Sequence, residues 1–201
     1  MQQKGMVWVI GASGGLGRAA AQAFAQNGWS VIAGARSFAV GTSPLGEGVT
    51  VLPLDVTSEE SCAAFVKKAL SRENRVDVLV CAAAQLVLGS CENTTVDELD
   101  RLLNVNVLGT VRMVQRALPL MRRQKGGKMI LFSSINGLLG IPFQSAYTAS
   151  KHALEGYAEC LAMETADFGI QVCLVEPGDH RGGSSHTRLH AKNETNTVYQ
   201  K

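Results

Sequence analysis

The 201-residue sequence lacks most of the features that mark fibrous, secreted or membrane-spanning chains. Its five prolines and 21 glycines follow no fixed period, which excludes collagen-like and low-complexity architectures. No apolar run reaches the length that a bilayer requires, and the apolar run at residues 6–10 is too short for a signal peptide. We therefore predict a cytoplasmic protein with no membrane partner.

The sequence also has neither a large excess of charge of one sign nor a cluster of cysteines. The formal net charge is only +2, from 19 basic and 17 acidic side chains, so the strong positive field of a nucleic-acid-binding protein is missing. The five cysteines contain no CxxC pair, and no group of His and Cys has the spacing of a structural zinc site. The sequence predicts a reduced compartment, no nucleic-acid partner and no metal, and leaves small-molecule chemistry open.

What is present is an alternation of short apolar runs with helical patterns. The runs are continuously apolar and rich in β-branched residues, which is typical of strands covered on both faces. Six strands are predicted, at residues 6–10, 29–33, 49–54, 76–80, 128–132 and 170–175. Helices are predicted at residues 17–27, 58–72, 96–124 and 144–168, and residues 37–48 are predicted to form a loop or a very short helix.

This alternation predicts an α/β fold, namely a single doubly wound, Rossmann-like parallel sheet with helices on both faces. Residues 1–178 would form one domain, and the polar residues 179–201 a mobile C-terminal segment. Ligands of such sheets lie outside the carboxyl ends of the strands, so the candidate site is sought there.

A glycine-rich sequence, Gly11-Ala-Ser-Gly-Gly-Leu-Gly17, directly follows the first strand and opens a helix. Gly11 permits a sharp turn, Gly14 and Gly15 permit close backbone approach, and Gly17 permits tight packing of helix on sheet. The helix N-terminus would then face a pyrophosphate with unpaired N–H groups. An ordinary glycine-rich turn is the alternative, and the strand before it and the helix behind it disfavour that interpretation.

The end of the second strand carries Ala35 and Arg36, where a carboxylate would bind the ribose hydroxyls of NAD. A guanidinium suits the 2′-phosphate of NADP, because it is permanently charged and bonds phosphate in a fork geometry. The alternative is that Arg36 is a solvated loop charge.

A second set of residues has the composition of a proton-transfer site. Tyr147 and Lys151 lie four residues apart in a predicted helix and so share one face. A nearby cation lowers the pKa of a phenol, and we predict that Lys151 prepares Tyr147 for proton transfer in this way. Ser134 follows the strand at 128–132, at the predicted ligand edge. Asn106 lies inside a predicted helix, where asparagine is disfavoured, and is either functional or a solvated or back-bonded polar residue.

The GxxxGxG spacing, followed in order by Asn106, Ser134, Tyr147 and Lys151, resembles the classical branch of the short-chain dehydrogenase/reductase family over residues 6–178. The resemblance implies that the serine steadies the substrate oxygen and that the tyrosine transfers its proton. It also implies that the lysine holds the nicotinamide ribose and that the asparagine anchors a water of the proton relay. Residues 104–116 and 149–157 are most similar to hydroxysteroid and retinol dehydrogenases.

The resemblance further implies NADP as the cofactor, with NAD possible, an alcohol or ketone substrate, and a homodimer or homotetramer. In the family an aspartate at the position of Asp55 contacts the adenine; here it alternatively caps a turn. The implied cofactor-binding residues are Gly11, Ser13, Gly14, Gly15, Leu16, Gly17, Arg36, Asp55, Val56, Cys81, Ala82, Ala83, Tyr147, Lys151, Pro177 and Gly178.

The chain also departs from the family pattern. Cys81-Ala-Ala-Ala84 replaces the usual Asn-Asn-Ala-Gly, and Cys81 is interpreted as a packing residue rather than a nucleophile. Ile10 and Gly182 stand where the family has threonine, and the C-terminal segment is expected to be an incomplete substrate lid. The leading hypothesis is an NADP-dependent oxidoreductase that interconverts a secondary alcohol and a ketone. The alternatives are a dinucleotide-binding sensor or interaction protein without efficient chemistry, and an inactive fragment.

Overall fold

The computed structural model describes residues 4–36, 38, 45–179 and 188–192. Within these ranges eight strands form two sheets. The strands are β1 (Met6–Ile10), β2 (Ser30–Ala35), β3 (Val49–Pro53), β4 (Val78–Cys81), β5 (Val87–Leu88), β6 (Gly127–Phe132), β7 (Ile170–Val175) and β8 (Leu189–His190). Six of them form one wholly parallel sheet in the order β3-β2-β1-β4-β6-β7, and β5 pairs with β8.

Five α-helices connect the strands. They are α1 (Gly15–Gln26), α2 (Glu59–Leu70), α3 (Val96–Leu103), α4 (Gly109–Gln124) and α5 (Ser145–Thr165). The helix predicted at 96–124 is interrupted, because a five-residue π-helical turn, Asn104–Leu108, joins α3 to α4. Throughout the described ranges, no helix is both long enough and apolar enough to cross a membrane.

The sheet is buried between two helical layers, which explains the continuous apolar runs. Trp8 of β1 pairs with Ile32 of β2 and with Leu79 of β4, so the central strand has a neighbour on each side. Alternate residues point to opposite faces. Trp8 therefore packs against the ring of Phe65 in α2, at 6.0 Å between centroids, while Val9 packs on the side of α1. The predicted doubly wound parallel fold is confirmed.

Residues 188–192 return to the body of the protein beside the main sheet. The Ala191 N–H donates to the Leu88 carbonyl at 2.8 Å, and the Lys192 N–H donates to the Glu98 carboxylate at 3.0 Å. Gly89 leaves room for this contact, since an added Cβ would lie 2.4 Å from the Ala191 Cβ. These five residues belong to the segment 179–201 predicted to be mobile; the amides of Leu189, Ala191 and Lys192 are hydrogen-bonded to the body of the protein, and the mobility of the segment stays a prediction.

Two other predictions fall mostly outside the described residues. Of the predicted loop at 37–48, residues 45–48 form bends and turns, and residues 37 and 39–44 lie outside. Gly182, noted for replacing a threonine, also lies outside.

Candidate active site

The predicted site residues meet at the carboxyl edge of the central strands. β1 and β4 are neighbours there although their crossover connections run in opposite directions along the sheet, which is the switch point where doubly wound sheets bind ligands. The loops after the strands are tied together at this edge. The Ala82 N–H donates to the Ile10 carbonyl at 2.8 Å, and the Ile135 N–H donates to the Pro177 carbonyl at 3.1 Å. The predicted cofactor and catalytic residues therefore share one edge of the sheet.

The glycine-rich loop is packed at its two ends and open in the middle. Gly11 has a φ of +88°, and an added Cβ would lie 2.4 Å from the Ala83 nitrogen. At Gly17 an added Cβ would lie 2.3 Å from the Gly11 carbonyl oxygen. Gly14 and Gly15 have nothing within 4 Å of such a Cβ. Close approach to a bound group is thus possible only at the centre of the loop.

The loop also has the electrostatic character of a phosphate site. In the described structure no side chain caps the N-terminus of α1, and its first turn carries no acidic residue. The positive end of the helix dipole and its unpaired N–H groups are therefore open to an anion. Ser13 is exposed and Leu16 half-buried in the same loop. These residues fit the pyrophosphate of a dinucleotide.

Arg36 and Asp55 follow neighbouring strands at the far side of this loop. Arg36 is exposed directly after β2. The Asp55 carboxylate accepts the hydroxyl of Thr57 at 2.7 Å and its N–H at 2.9 Å. These two bonds, with a smaller contribution from Arg36, hold the pKa of Asp55 below its usual value. Asp55 does cap a turn, and its contact with adenine stays a prediction.

The segment after β4 contributes backbone rather than side chains to the site. Ala82 and Ala83 pack directly on Gly17 and Gly11. The predicted lining of the cofactor site at these positions is therefore formed mainly by backbone atoms. Cys81 is buried in the main core, and burial raises the pKa of its thiol to about 12. A thiol that stays protonated suits the interpretation of Cys81 as a packing residue.

Asn106 lies inside the π-helical turn and is 1% exposed. Its Oδ1 accepts the Gln85 N–H at 2.7 Å, and its Nδ2 donates to the Gln85 carbonyl and to the Ser150 hydroxyl, both at 3.0 Å. The Ser150 hydroxyl in turn donates to the Tyr147 carbonyl at 2.7 Å. Asn106 is therefore not solvated, because every polar atom of this carboxamide is bound within the fold; its two bonds to the main chain of Gln85 agree with the back-bonded alternative, and its function stays a prediction.

Ser134 follows β6, is 7% exposed and lies beside Tyr147. Burial raises the pKa of Tyr147, and the nearby Ser134 side chain only partly offsets this. The serine hydroxyl and the phenol thus lie together at the edge of the sheet.

Lys151 lies beside Tyr147, with its Nζ 5.5 Å from the centre of the phenol ring. The ammonium donates to the Phe132 carbonyl at 2.7 Å, and burial lowers its pKa to about 8, against the opposing charge of Glu155. The predicted proximity is present, but the predicted lowering of the pKa of Tyr147 by Lys151 is wrong in this arrangement. The hydrogen bond of the ammonium goes to the main chain, and burial dominates the titration of the phenol.

Asn136 is a site residue that the sequence analysis missed. It is 4% exposed and accepts the Ser134 hydroxyl at 3.3 Å. Its Nδ2 donates to the Thr148 hydroxyl at 3.0 Å and to the Gln144 side chain at 3.2 Å. Its position two residues after Ser134 was the available signal, but the partners in α5 are visible only in the fold.

Comparison with known proteins gives the class that this fold and site define. Residues 5–193 match the profile of the family described as short chain dehydrogenase. The chain belongs to this family of oxidoreductases, whose members bind NAD(P) and act on small molecules.

Particular relatives make the similarity more specific. The 3-ketodihydrosphingosine reductase of Bacteroides thetaiotaomicron is 39% identical over 186 residues, which are 92% of this chain and 68% of that protein. Estradiol 17-beta-dehydrogenase 1 of Rattus norvegicus is 44% identical over 144 residues, 72% of this chain and 40% of that protein. The crystal structure of a short-chain dehydrogenase from Streptomyces avermitilis superposes with a TM-score of 0.85 at 36% identity, covering 96% of this chain and 74% of that one.

These similarities confirm the family resemblance, including its narrower form toward hydroxysteroid and retinol dehydrogenases. The chain spans about two thirds of the length of the first of these relatives and less than half of the second. Among the residues that the structure describes, no group of His, Cys, Asp and Glu could hold a metal ion.

Proposed function

We propose that this protein is an NADP-dependent oxidoreductase that interconverts a secondary alcohol and a ketone. The observation that carries the proposal is that Ser134 and Lys151 both lie against Tyr147 at the carboxyl edge of the sheet, while Asn106 is bonded to Ser150 of the same helix α5. The four roles come from the family resemblance, and the closeness of Ser134 and Lys151 to Tyr147 supports three of them.

Each side chain has a task that its surroundings support. The Ser134 hydroxyl stabilises the substrate oxygen as charge develops on it, and the Tyr147 hydroxyl beside it transfers the proton. Lys151 supplies a positive charge beside the phenol, and Asn106, whose carboxamide is bonded to Gln85 and Ser150, is assigned the water of the proton relay from the family resemblance. When bound, the nicotinamide supplies or accepts the hydride. Gly11, Gly14, Gly15 and Gly17 shape the loop for the pyrophosphate.

The preference for NADP over NAD rests on Arg36. Its guanidinium lies exposed at the end of β2, where the ribose of a dinucleotide would lie in a doubly wound sheet. Asp55, the nearby carboxylate, is bound to Thr57, so it does not neutralise Arg36 by a direct ion pair among the described contacts. A 2′-phosphate would therefore meet an available positive charge.

An apolar substrate is supported by the loop that joins Ser134 to Tyr147. Leu138 is 57% exposed and Phe143 51%, with Leu139 exposed between them. Leu189 of β8 is also exposed nearby in the fold, since the Gly89 N–H next to β5 donates to the Phe143 carbonyl. Exposed apolar side chains concentrated beside a site favour an apolar ligand. The names of the relatives, which mention 3-ketodihydrosphingosine, estradiol and retinol, agree with this class.

The test combines binding with turnover. NADPH and NADH are titrated by fluorescence, and turnover is then assayed with 3-ketodihydrosphingosine and NADPH, and with estradiol and NADP. We expect tighter binding of NADPH than of NADH, turnover of at least one substrate, and loss of turnover with retained binding in Tyr147→Phe. Binding without turnover would favour the alternative of a dinucleotide-binding sensor. Undiminished turnover in Tyr147→Phe would remove the assignment of the proton donor.

We also propose a homodimer or homotetramer in the cytoplasm. Support for association comes from two exposed apolar side chains next to β7, Met163 at 74% and Phe168 at 42% exposure. Light scattering of the purified chain distinguishes these states from a monomer.

A further inference from the structure

The π-helical turn that carries Asn106 departs from the regular hydrogen bonding of an α-helix. The Gly109 N–H donates to the Asn104 carbonyl five residues earlier, where an α-helix would use a carbonyl four residues earlier. Wide turns of this kind disturb the regular ladder and leave room for additional side-chain donors at the turn. Here the Thr110 hydroxyl donates to the Asn106 carbonyl at 3.1 Å. The donor at the other end of the turn is the side chain of Arg112.

Arg112 contacts the turn and the loop after β3 at the same time. Its Nη1 lies 2.9 Å from the Asn104 side-chain oxygen, 3.4 Å from the Asn104 carbonyl and 3.1 Å from the Val56 carbonyl. Its Nε donates to Glu59 at 2.9 Å. Val56 also packs on Gly109, where an added Cβ would lie 2.6 Å from the Val56 Cγ2. One guanidinium thus joins the segment of the predicted cofactor residue Val56 to the turn of Asn106.

We propose that Arg112 is a positioning residue, which holds the π-helical turn in place so that the Asn106 carboxamide stays bonded to Gln85. Arg112 lies on the outer side of the turn and Asn106 on the inner side, so Arg112 acts through the main chain. Its effect on turnover rests on the proposed function, whereas its effect on the bond between Asn106 and Gln85 does not.

The neighbouring Arg116 offers a matched control. It also pairs with Glu59, and it donates to the Arg112 carbonyl at 3.0 Å. The contacts described for it include neither Asn104 nor Val56. The two arginines are similarly covered, with side-chain exposures of 17% for Arg112 and 22% for Arg116. Replacing either one removes an ion pair with Glu59, and only the replacement of Arg112 removes donors from the turn.

The direct test is hydrogen exchange at the Gln85 backbone amide, which donates to Asn106 Oδ1 at 2.7 Å. We expect Arg112→Gln to accelerate this exchange about tenfold, Asn106→Ala to accelerate it at least as much, and Arg116→Gln to leave it unchanged. Amides of β1 serve as the internal reference, since a general loss of stability would accelerate them too. If Arg112→Gln folds poorly, Arg112→Lys is used, and we expect an intermediate rate because one ammonium replaces a planar group with several donors.

Exchange at Gln85 that stays at the wild-type rate in both Arg112 variants would overturn the proposal, as would equal acceleration in Arg116→Gln. Kinetics add a separate readout. We expect Arg112→Gln to lower kcat about tenfold with little change in KM, and to add little when Asn106 is already alanine. If Asn106→Ala leaves turnover intact, the proposed relay fails while the exchange result still decides the role of Arg112.

Discussion

Lys151 donates its 2.7 Å hydrogen bond to the carbonyl oxygen of Phe132, the last residue of β6, rather than to the phenol of Tyr147 beside it. The helix α5 is thereby fastened to the end of a central strand by a buried ammonium. The position of that charge is fixed by the main chain, so it is already in place beside the phenol.

Burial of Lys151 should make the stability of the protein depend on pH. Its pKa is about 8 in the fold against 10.5 for a free lysine. Between these values the unfolded chain binds more protons than the folded one, so the free energy of unfolding rises with pH. From about pH 7 to about pH 9.5 we expect Lys151 to contribute a rise of about 2 kcal/mol that Lys151→Met lacks. Urea unfolding of both proteins across this range measures the difference, and parallel curves would contradict it.

The glycine loop allows a prediction with a neighbouring control. In Gly17→Ala the new Cβ would meet a carbonyl oxygen at 2.3 Å, so the loop or α1 must shift. We expect a loss of stability of about 2 kcal/mol or more, together with weaker dinucleotide binding. Gly14→Ser places its side chain in open space at the N-cap of α1, where serine is favoured, and we expect no loss of stability. Thermal unfolding compares the two variants, and an equal loss of stability in both would refute the packing argument. NADPH titration measures the loss of binding in Gly17→Ala.

Asn136 should influence turnover through Ser134. Removing its carboxamide in Asn136→Ala takes away the acceptor of the Ser134 hydroxyl and the donor to Thr148. We expect kcat to fall about tenfold, since a catalytic hydroxyl is no longer held in one orientation. Thr148→Val removes a partner of Asn136 and leaves its bond with Ser134, so kcat should change by less than about threefold. Steady-state kinetics at saturating substrate test this, and an equal loss in both variants would assign the effect to the network as a whole.

The five cysteines should divide into two classes of reactivity. Burial raises the pKa of Cys62 and of Cys81, the latter to about 12, whereas Cys91, Cys160 and Cys173 are exposed. Because the thiolate is the reactive form, iodoacetamide at mildly alkaline pH should modify the exposed three and spare the buried two. Peptide mass spectrometry reads the outcome, with the denatured chain as the control in which all five react. Modification of native Cys81 would show that the segment after β4 opens.

The sheet could be predicted from sequence because each strand has a recognisable hydrophobic pattern within its own few residues. The run Met6–Ile10 is apolar at every position, which is typical of a strand covered on both faces. Strand ends were less exact, as with the run predicted at 76–80 and observed at Val78–Cys81. The hydrophobic pattern of a strand does not show at which residue its pairing with the adjacent strand ends.

Features that depend on distant contacts could not be read in this way. The π-helical turn has the same apolar pattern as the helix around it, and Arg112, which binds it, is fixed by Val56, 56 residues away. Strand β8 has two residues, and its position depends on Glu98, 94 residues from the amide of Lys192. The raised pKa of Tyr147 follows from burial, which a YxxxK spacing does not encode. Each of these features is determined by tertiary contacts, which the local sequence does not specify.

The central position of β1 has a consequence for synthesis on the ribosome. The Met6 amide bonds to the side chain of Asp77, 71 residues later, at the point where β4 is about to join β1. At ribosomal speeds of about 5–20 residues per second, that partner emerges roughly 4–14 seconds after β1. Until then the most deeply buried strand of the mature protein is a nascent apolar segment with one flank unpaired. We expect it to be a stretch of the growing chain that a chaperone binds.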